Sequence, residues 1–163
     1  MTTLAEAASG YRFIAAGFGS GWLPKAPGTW GSLVSLAPGW LLLKGLGVAA
    51  LLAGSLLLLA AGCFACYRLL PQLADKDPGW IVIDEWAGQW FCLMLVSTVL
   101  GSGWLAVLAA FAAFRLFDVS KLWPVSVFER LGPPWWSIMA DDMAAGFLGG
   151  VLVAVLAIAR AAL

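Results

Sequence analysis

The chain has 163 residues, of which 63% are hydrophobic and only 11% charged, and its nine basic side chains balance its nine acidic ones. Soluble domains carry about 25% charged residues, so the composition excludes a water-soluble globular domain and equally a disordered chain. The absence of a basic field excludes a nucleic-acid-binding protein. An integral membrane protein is predicted instead, with a single domain over residues 1–163.

Apolar runs divide the chain into five predicted helices, which makes an all-α, polytopic membrane protein with about five short membrane helices. The uncharged run over residues 86–114 is too long for one helix, since about 20 residues cross a bilayer. Gly101-Ser102-Gly103 is typical of a tight turn and divides it. Pro38-Gly39 is expected to interrupt the first helix. The predicted helices are Trp30–Leu43, Gly45–Tyr67, Trp86–Leu100, Trp104–Phe117 and Met143–Ala159.

The basic residues between these helices are shared unequally by the two sides of the membrane. Seven fall on one side and two on the other, and loops rich in Lys and Arg stay in the cytoplasm. The side with seven is therefore predicted to be cytoplasmic. It holds Arg12, Lys25, Arg68, Lys76, Arg115, Lys121 and Arg130, and the other side holds Lys44 and Arg160.

Five carboxylates lie at helix ends on that same side. One pair lies at the start of the third predicted helix, one acid lies at the end of the fourth, and one pair lies at the start of the last. Carboxylates in this number suit a hard cation such as Mg²⁺, although the two pairs could instead only cap helix starts. The five are Asp84, Glu85, Asp118, Asp141 and Asp142.

Two of these acids are each followed four positions later by a glycine. Gly88 follows Asp84, and Gly146 follows Asp142. Residues four apart share one face of a helix, and a glycine there lets another helix approach closely. We therefore expect a second helix to pack close to each of these acids.

Two further segments contain groups that could bind phosphate. The glycine- and proline-rich residues 17–32 form a loop ahead of a predicted helix, whose N–H groups could bind an anion, or the segment is only a connecting turn. Arg115, Asp118 and Lys121 share roughly one helix face. This spacing indicates either an acid flanked by phosphate-binding cations or a structural ion pair with a snorkelling lysine.

No histidine is present, which excludes histidine bases and histidine-ligated zinc. The three cysteines, Cys63, Cys66 and Cys92, lie in apolar runs, and no second pair completes a zinc site. No arginine follows any of them at the spacing of the cysteine phosphatases. We interpret them as packing residues.

Four blocks of the chain, in the family's order, resemble the phosphatidylglycerophosphatase A family. Leu122 and Trp135-Trp136-Ser137 depart from the family's usual residues. The resemblance implies a bacterial inner-membrane, multi-pass, Mg²⁺-dependent lipid phosphatase that faces the cytoplasm and converts phosphatidylglycerophosphate to phosphatidylglycerol. The four blocks are Leu23–Leu33, Lys76-Asp77-Pro78 with Ile83–Gln89, Phe114–Lys121 and Ile138–Gly146.

Residue chemistry and the resemblance together predict the site. The five carboxylates above are expected to bind metal and to act in catalysis. The nucleophile is either a water bound to Mg²⁺ and deprotonated by a carboxylate or an aspartate. Substrate binding is predicted for Lys25, Gly28, Thr29, Gly31, Ser32, Gln89, Arg115 and Lys121.

Two other classes of protein would also use acids in a membrane. One is a small non-enzymatic subunit or an ion- or proton-conducting protein, but here the acids lie at helix ends beside basic residues and no charge lies mid-span. The other is a CDP-alcohol phosphotransferase, which is also Mg²⁺-dependent, but its long Asp-Gly to Asp signature is absent.

We predict that a reporter enzyme fused after Leu163 is located in the periplasm, because five crossings that begin in the cytoplasm end outside. The activity of a fused alkaline phosphatase measures this. A cytoplasmic reporter would mean an even number of crossings. The error would then lie in the short segment Trp30–Leu43 or in the division at Gly101-Ser102-Gly103.

Overall fold

The computed structural model describes residues 4–163, with side chains from residue 9 onward, and contains no strand in that range. The predicted all-α class is confirmed for this part of the chain. The single domain over 1–163 stays a prediction, and its first three residues lie outside the described part. The helices are α1 (Leu4–Ala15), α2 (Pro27–Leu69), α3 (Ile83–Leu100), α4 (Trp104–Ser120), α5 (Val125–Phe128) and α6 (Pro134–Ala161), with 3₁₀ turns at Ser20–Trp22 and Leu70–Gln72.

Helix α2 covers the first two predicted helices and contains a break. The break lies at Gly47, whose φ of 83° belongs to the left-handed region that favours glycine. The sequence had indicated the boundary at Lys44, because a charge interrupts the apolar run there. The expectation that Pro38 interrupts the first helix is wrong, since α2 continues through it.

Two helical segments are long and apolar enough to cross a membrane: Pro27–Gln72, which is α2 with the turn that follows it, and α6. Their outer faces expose large apolar side chains; Leu57 is 70% exposed and Ile158 65%. Soluble monomers rarely expose continuous apolar surface of this kind. The count of five membrane helices and their orientation stay predictions.

The acids lie at the helix ends predicted from the sequence in two cases out of three. Asp84 and Glu85 lie in the first turn of α3, and Asp118 lies in the last turn of α4. The prediction that Asp141 and Asp142 open the last helix is wrong. Helix α6 begins earlier, at Pro134, because proline is well tolerated at the first helical position. Both acids therefore lie inside α6 and do not cap it.

Helix α6 packs mainly against α3, and the two backbones touch where they cross. A Cβ atom added at Gly88 would collide with the carbonyl oxygen of Asp142, and one added at Gly146 would collide with the carbonyl oxygen of Gly88. The expected close approach beside these glycines is confirmed. It brings the second turn of α3 against residues 142–146 of α6.

Both halves of α2 are hydrogen-bonded to α3. The indole Nε1 of Trp90 donates to the carbonyl oxygen of Ser35 at 2.8 Å, and the hydroxyl of Ser55 donates to the carbonyl oxygen of Ala87 at 2.8 Å. These side chains are buried, so each bond satisfies a polar group away from solvent. Helix α3 is thereby held between α2 and α6.

The three cysteines are free, and Cys66 and Cys92 are buried in the apolar core. Cys63 is half-buried and packs against the same core. Their burial in and against the apolar core agrees with the interpretation as packing residues.

We predict that Gly146→Ala destabilises the protein by about 1–3 kcal/mol, because the new methyl group collides with backbone that cannot rotate away. The thermal unfolding midpoint in detergent measures this. Gly45→Ala is the matched control, since no atom lies within 4 Å of a Cβ added there. An equal midpoint for Gly146→Ala and wild type would show that the crossing is not tight.

Candidate active site

An acidic cavity of about 560 Å³ opens between the start of α3, the end of α4 and the middle of α6. All five predicted carboxylates line it, together with Lys121. Four of the acids, Asp84, Asp118, Asp141 and Asp142, are buried, and Glu85 is half-buried. The structure therefore brings together residues that are far apart in the chain.

Three of these carboxylates form a compact group at the crossing of α3 and α6. Oxygens of Asp84, Glu85 and Asp142 all lie within 4.8 Å of one another. The Oε2 atom of Glu85 is buried and has no hydrogen-bond partner in the described part of the chain. Hard oxygen donors in such a group are the ligands that Mg²⁺ and Ca²⁺ prefer, so the donor set fits a divalent cation.

Lys121 lies among the remaining acids. Its Nζ is 3.5 Å from Asp118, 3.8 Å from Glu129 and 3.9 Å from Asp142, and it donates a hydrogen bond to Asp141. Burial alone would lower the pKa of Lys121, but the carboxylates of Asp142 and Asp141 outweigh burial and raise it. The ammonium group therefore stays protonated and offsets part of the negative charge of the cavity.

Arg115 connects the end of α4 to the start of α2. It forms an ion pair with Asp118, and its guanidinium donates to the hydroxyls of Thr29 and Ser32, each at 3.3 Å. The backbone of Gly28 adjoins both Arg115 and the Oε1 atom of Glu85. The start of α2 thus lies directly beside the carboxylate group.

The glycine-rich segment differs from its prediction in form. Gly28 and Thr29 were expected in a loop ahead of the helix predicted from Trp30, and Gly31 and Ser32 where that segment and the helix overlap. All four belong to the first two turns of α2, which begins at Pro27. Proline at the first helical position and the apolar residues that follow favour this early start. Gly31 packs against the side chain of Val82.

Of the eight predicted substrate-binding residues, Lys121 alone lines the acidic cavity. Arg115 and the four residues at the start of α2 lie beside the carboxylate group, whereas Lys25 and Gln89 lack such contacts. Lys25 is exposed, and its ammonium makes no hydrogen bond or ion pair with the side chains described from residue 9 onward. Gln89 is fully buried one turn after Glu85, and its amide nitrogen and oxygen have no partner among the described residues. Contact of either residue with substrate stays a prediction.

Four polar residues that line the cavity were not predicted as site residues: Lys76, Asp77, Glu129 and Ser137. The Lys76-Asp77-Pro78 block was part of the family resemblance and could have indicated the first two. Glu129 and Ser137 lie in and after the irregular segment that follows α4, where no local pattern indicates their position.

Comparisons with known proteins extend over most of the chain. A sequence model of the family described as Phosphatidylglycerophosphatase A matches residues 13–157. A phosphatidylglycerophosphatase A of Haemophilus influenzae is 37% identical over 140 residues, which cover 86% of this chain and 84% of that protein. A protein of the same name from Escherichia coli is 36% identical over 143 residues, covering 87% and 81%. A Bacteroides thetaiotaomicron protein, provisionally named phosphatidylinositol-3-phosphatase, is 37% identical over 146 residues, covering 87% and 90%. No solved structure matches.

We predict that Lys121→Met lowers the free energy of unfolding by about 1–3 kcal/mol, because it leaves the surrounding carboxylates without their shared cation. The lysine is partly exposed, which reduces the effect. Unfolding in detergent with EDTA present measures the change without a metal contribution. Lys121→Arg keeps the charge and should retain most of the stability; equal losses for both variants would show that charge is not the cause.

Proposed function

The chain belongs to the phosphatidylglycerophosphatase A family and is a phosphatase, and on that premise we propose that it removes the terminal phosphate of phosphatidylglycerophosphate. The products are phosphatidylglycerol and inorganic phosphate. The observation that carries the proposal is the group of oxygens of Asp84, Glu85 and Asp142 within 4.8 Å, at the wall of the acidic cavity. A non-enzymatic membrane subunit is not favoured, because the relatives are named as enzymes.

Mg²⁺ is the proposed cofactor, with Asp84, Glu85 and Asp142 as its principal ligands. Asp118 and Asp141 line the same cavity and complete the proposed metal and catalytic cluster. The unpartnered Oε2 atom of Glu85 supports this assignment, because a buried carboxylate oxygen needs a ligand of some kind. When bound, Mg²⁺ would neutralise the phosphate and polarise it toward attack.

Arg115 and the start of α2 are proposed to bind the phosphate that is removed. The first N–H groups of a helix lack helical partners and attract anions, and those of Gly28 and Thr29 are such groups in α2. Gly31 and Ser32 follow in the second turn, where the hydroxyl of Ser32 contacts Arg115. The contacts of Arg115 with Thr29 and Ser32 support this, since they keep a guanidinium beside those N–H groups. Lys25 is proposed to approach the same phosphate from the preceding loop.

Lys121 is proposed to orient the catalytic acids as well as to contact substrate. Its ion pairs with Asp118, Asp141 and Asp142 hold carboxylates from α4 and α6 together. Without a shared cation, like charges at such distances repel one another. The lysine therefore keeps the cluster assembled before substrate enters.

Hydrolysis needs one bond to form and one to break. A water oxygen bonds to the terminal phosphorus, and the bond from phosphorus to the glycerol oxygen breaks. A carboxylate of the cluster accepts the proton that the water loses, and the glycerol oxygen takes up a proton as it leaves. An aspartate that attacks phosphorus first is the rival route; with no histidine in the chain, the acids carry the proton transfer in either case.

A location in the bacterial inner membrane, with several crossings and with the site toward the cytoplasm, is also proposed. The support comes from two apolar segments long enough to cross a membrane and from the unequal distribution of Lys and Arg between the two sides. A site at the membrane surface would reach the headgroup of a lipid while its acyl chains stay in the bilayer.

We predict that excess EDTA abolishes phosphate release and that added Mg²⁺ restores it. Asp84→Asn and Asp142→Asn should each reduce kcat at least about 100-fold, because each removes a charged metal ligand, while the unfolding midpoint stays measurable. Phosphate release from short-chain phosphatidylglycerophosphate is the measurement.

Asp75→Asn is the matched control for these variants, since Asp75 is exposed and outside the cavity. Replacing all three cysteines with alanine should keep activity. Full activity in excess EDTA would overturn the metal assignment. Phosphatidylinositol 3-phosphate belongs in the substrate panel because of the name of the Bacteroides relative; a preference for it would overturn the proposed substrate.

A further inference from the structure

Lys76 lies at an edge of the acidic cavity and is held in position by the 3₁₀ turn that follows α2. Its Nζ donates to the carbonyl oxygens of Leu70 at 2.7 Å and Leu73 at 2.8 Å. An ammonium group has three donors, so one N–H of Lys76 remains for another acceptor. The side chain is exposed, which leaves that donor accessible.

The two lysines that line the cavity differ in their charge environment. Lys121 forms ion pairs with Asp118, Glu129, Asp141 and Asp142, whereas Lys76 forms none within the described residues. An anionic group of a ligand would be repelled by the acids along most of the cavity wall. Among the described residues, no carboxylate pairs with Lys76. Its positive charge is therefore available to an anionic group of a ligand.

An apolar groove of about 220 Å³ continues from the cavity at this lysine. The groove and the cavity share Lys76 and Pro134 in their walls. Its other walls include Cys66, Tyr67 and Trp135, and the last two rings pack edge to face with centroids 6.1 Å apart. Lys76 thus stands where the surface changes from acidic to apolar.

The covalent order of the proposed substrate matches this spatial order. In phosphatidylglycerophosphate the acyl chains come first, then a phosphodiester, then a glycerol, and last the phosphomonoester that is removed. We propose that Lys76 binds the phosphodiester, with the acylglycerol end leaving along the groove beside Tyr67 and Trp135. This inference rests on the proposed function, because it assigns the second phosphate of the same substrate.

The assignment makes Lys76 a specificity-determining residue. Phosphatidic acid carries its phosphomonoester directly on diacylglycerol and has no phosphodiester, so Lys76 would contribute nothing to its hydrolysis. The product phosphatidylglycerol keeps the phosphodiester and should therefore bind through Lys76 as an inhibitor. Both compounds separate this subsite from the site of phosphate removal.

The test uses the full chain in neutral detergent micelles, so that no anionic lipid surface competes. Lys76→Gln removes the charge but keeps an amide that can donate to the carbonyl oxygens of Leu70 and Leu73. For short-chain phosphatidylglycerophosphate we expect KM to rise roughly tenfold and kcat to stay within about twofold of wild type. This pattern results when a variant loses an interaction that stabilises the bound substrate and the transition state equally. The inhibition constant of short-chain phosphatidylglycerol should rise by a similar factor.

Two control variants and two further measurements complete the test. Lys76→Arg keeps the charge and should restore KM, and Lys44→Met removes a lysine outside the cavity and should change nothing. If wild type hydrolyses phosphatidic acid, Lys76→Gln should leave that rate within about twofold. The unfolding midpoint of each variant shows whether the end of α2 is intact.

The outcomes separate this inference from the proposed function. If wild type releases phosphate from phosphatidylglycerophosphate and Lys76→Gln leaves KM and the inhibition constant unchanged, only the phosphodiester subsite is overturned. The same holds if kcat falls and the midpoint drops while the inhibition constant stays constant, because Lys76 would then only stabilise α2. If wild type releases no phosphate from this lipid, the proposed function and the subsite both fail.

Discussion

The close crossing of α3 and α6 is the constraint on which the candidate site depends. At Gly88 and Gly146 neither helix carries a side chain, so the two backbones meet. The acids of α3, Asp84 and Glu85, precede that contact by about one turn, and Asp142 precedes it on α6. Because the crossing leaves no room for side chains between the helices, the three carboxylates converge within 4.8 Å of one another.

Convergence of that kind costs free energy unless cations balance it. Two cations from α4 and its end supply part of the balance: Arg115 pairs with Asp118, and Lys121 contacts acids from α4 and α6. Asp84 and Glu85 form no ion pair with either cation, and together with Asp142 they are proposed to bind metal. The same arrangement thus holds the helices together and leaves one part of the cavity short of positive charge.

Much of this could be predicted from the sequence, and the errors have a common cause. The end of α3 at Leu100 and the start of α4 at Trp104 were predicted correctly, because Gly101-Ser102-Gly103 interrupts the apolar run there. The start of α3 and the end of α4 each lie three residues beyond the predicted bounds, so that Asp84, Glu85 and Asp118 are inside the helices. The start of α6 was predicted too late, and the start of α2 was taken for a loop. In both cases a charge or a glycine was read as a helix boundary, although Pro134 and Pro27 begin the helices earlier. A helix can continue through polar residues when these form hydrogen bonds or ion pairs with other helices. Local composition does not reveal such contacts.

Composition and local pattern alone determine the helical class, the apolar surface and the identity of the acids, because these follow from residue type and spacing within one helix. Which acids meet, and which cations neutralise them, was decided only by the tertiary structure. The contacts of Arg115 with Thr29 and Ser32, and the position of Lys76 between an acidic and an apolar surface, join segments far apart in the chain. Such contacts depend on how helices cross, and the crossing is set by backbone approach at two glycines rather than by any periodicity along a single segment.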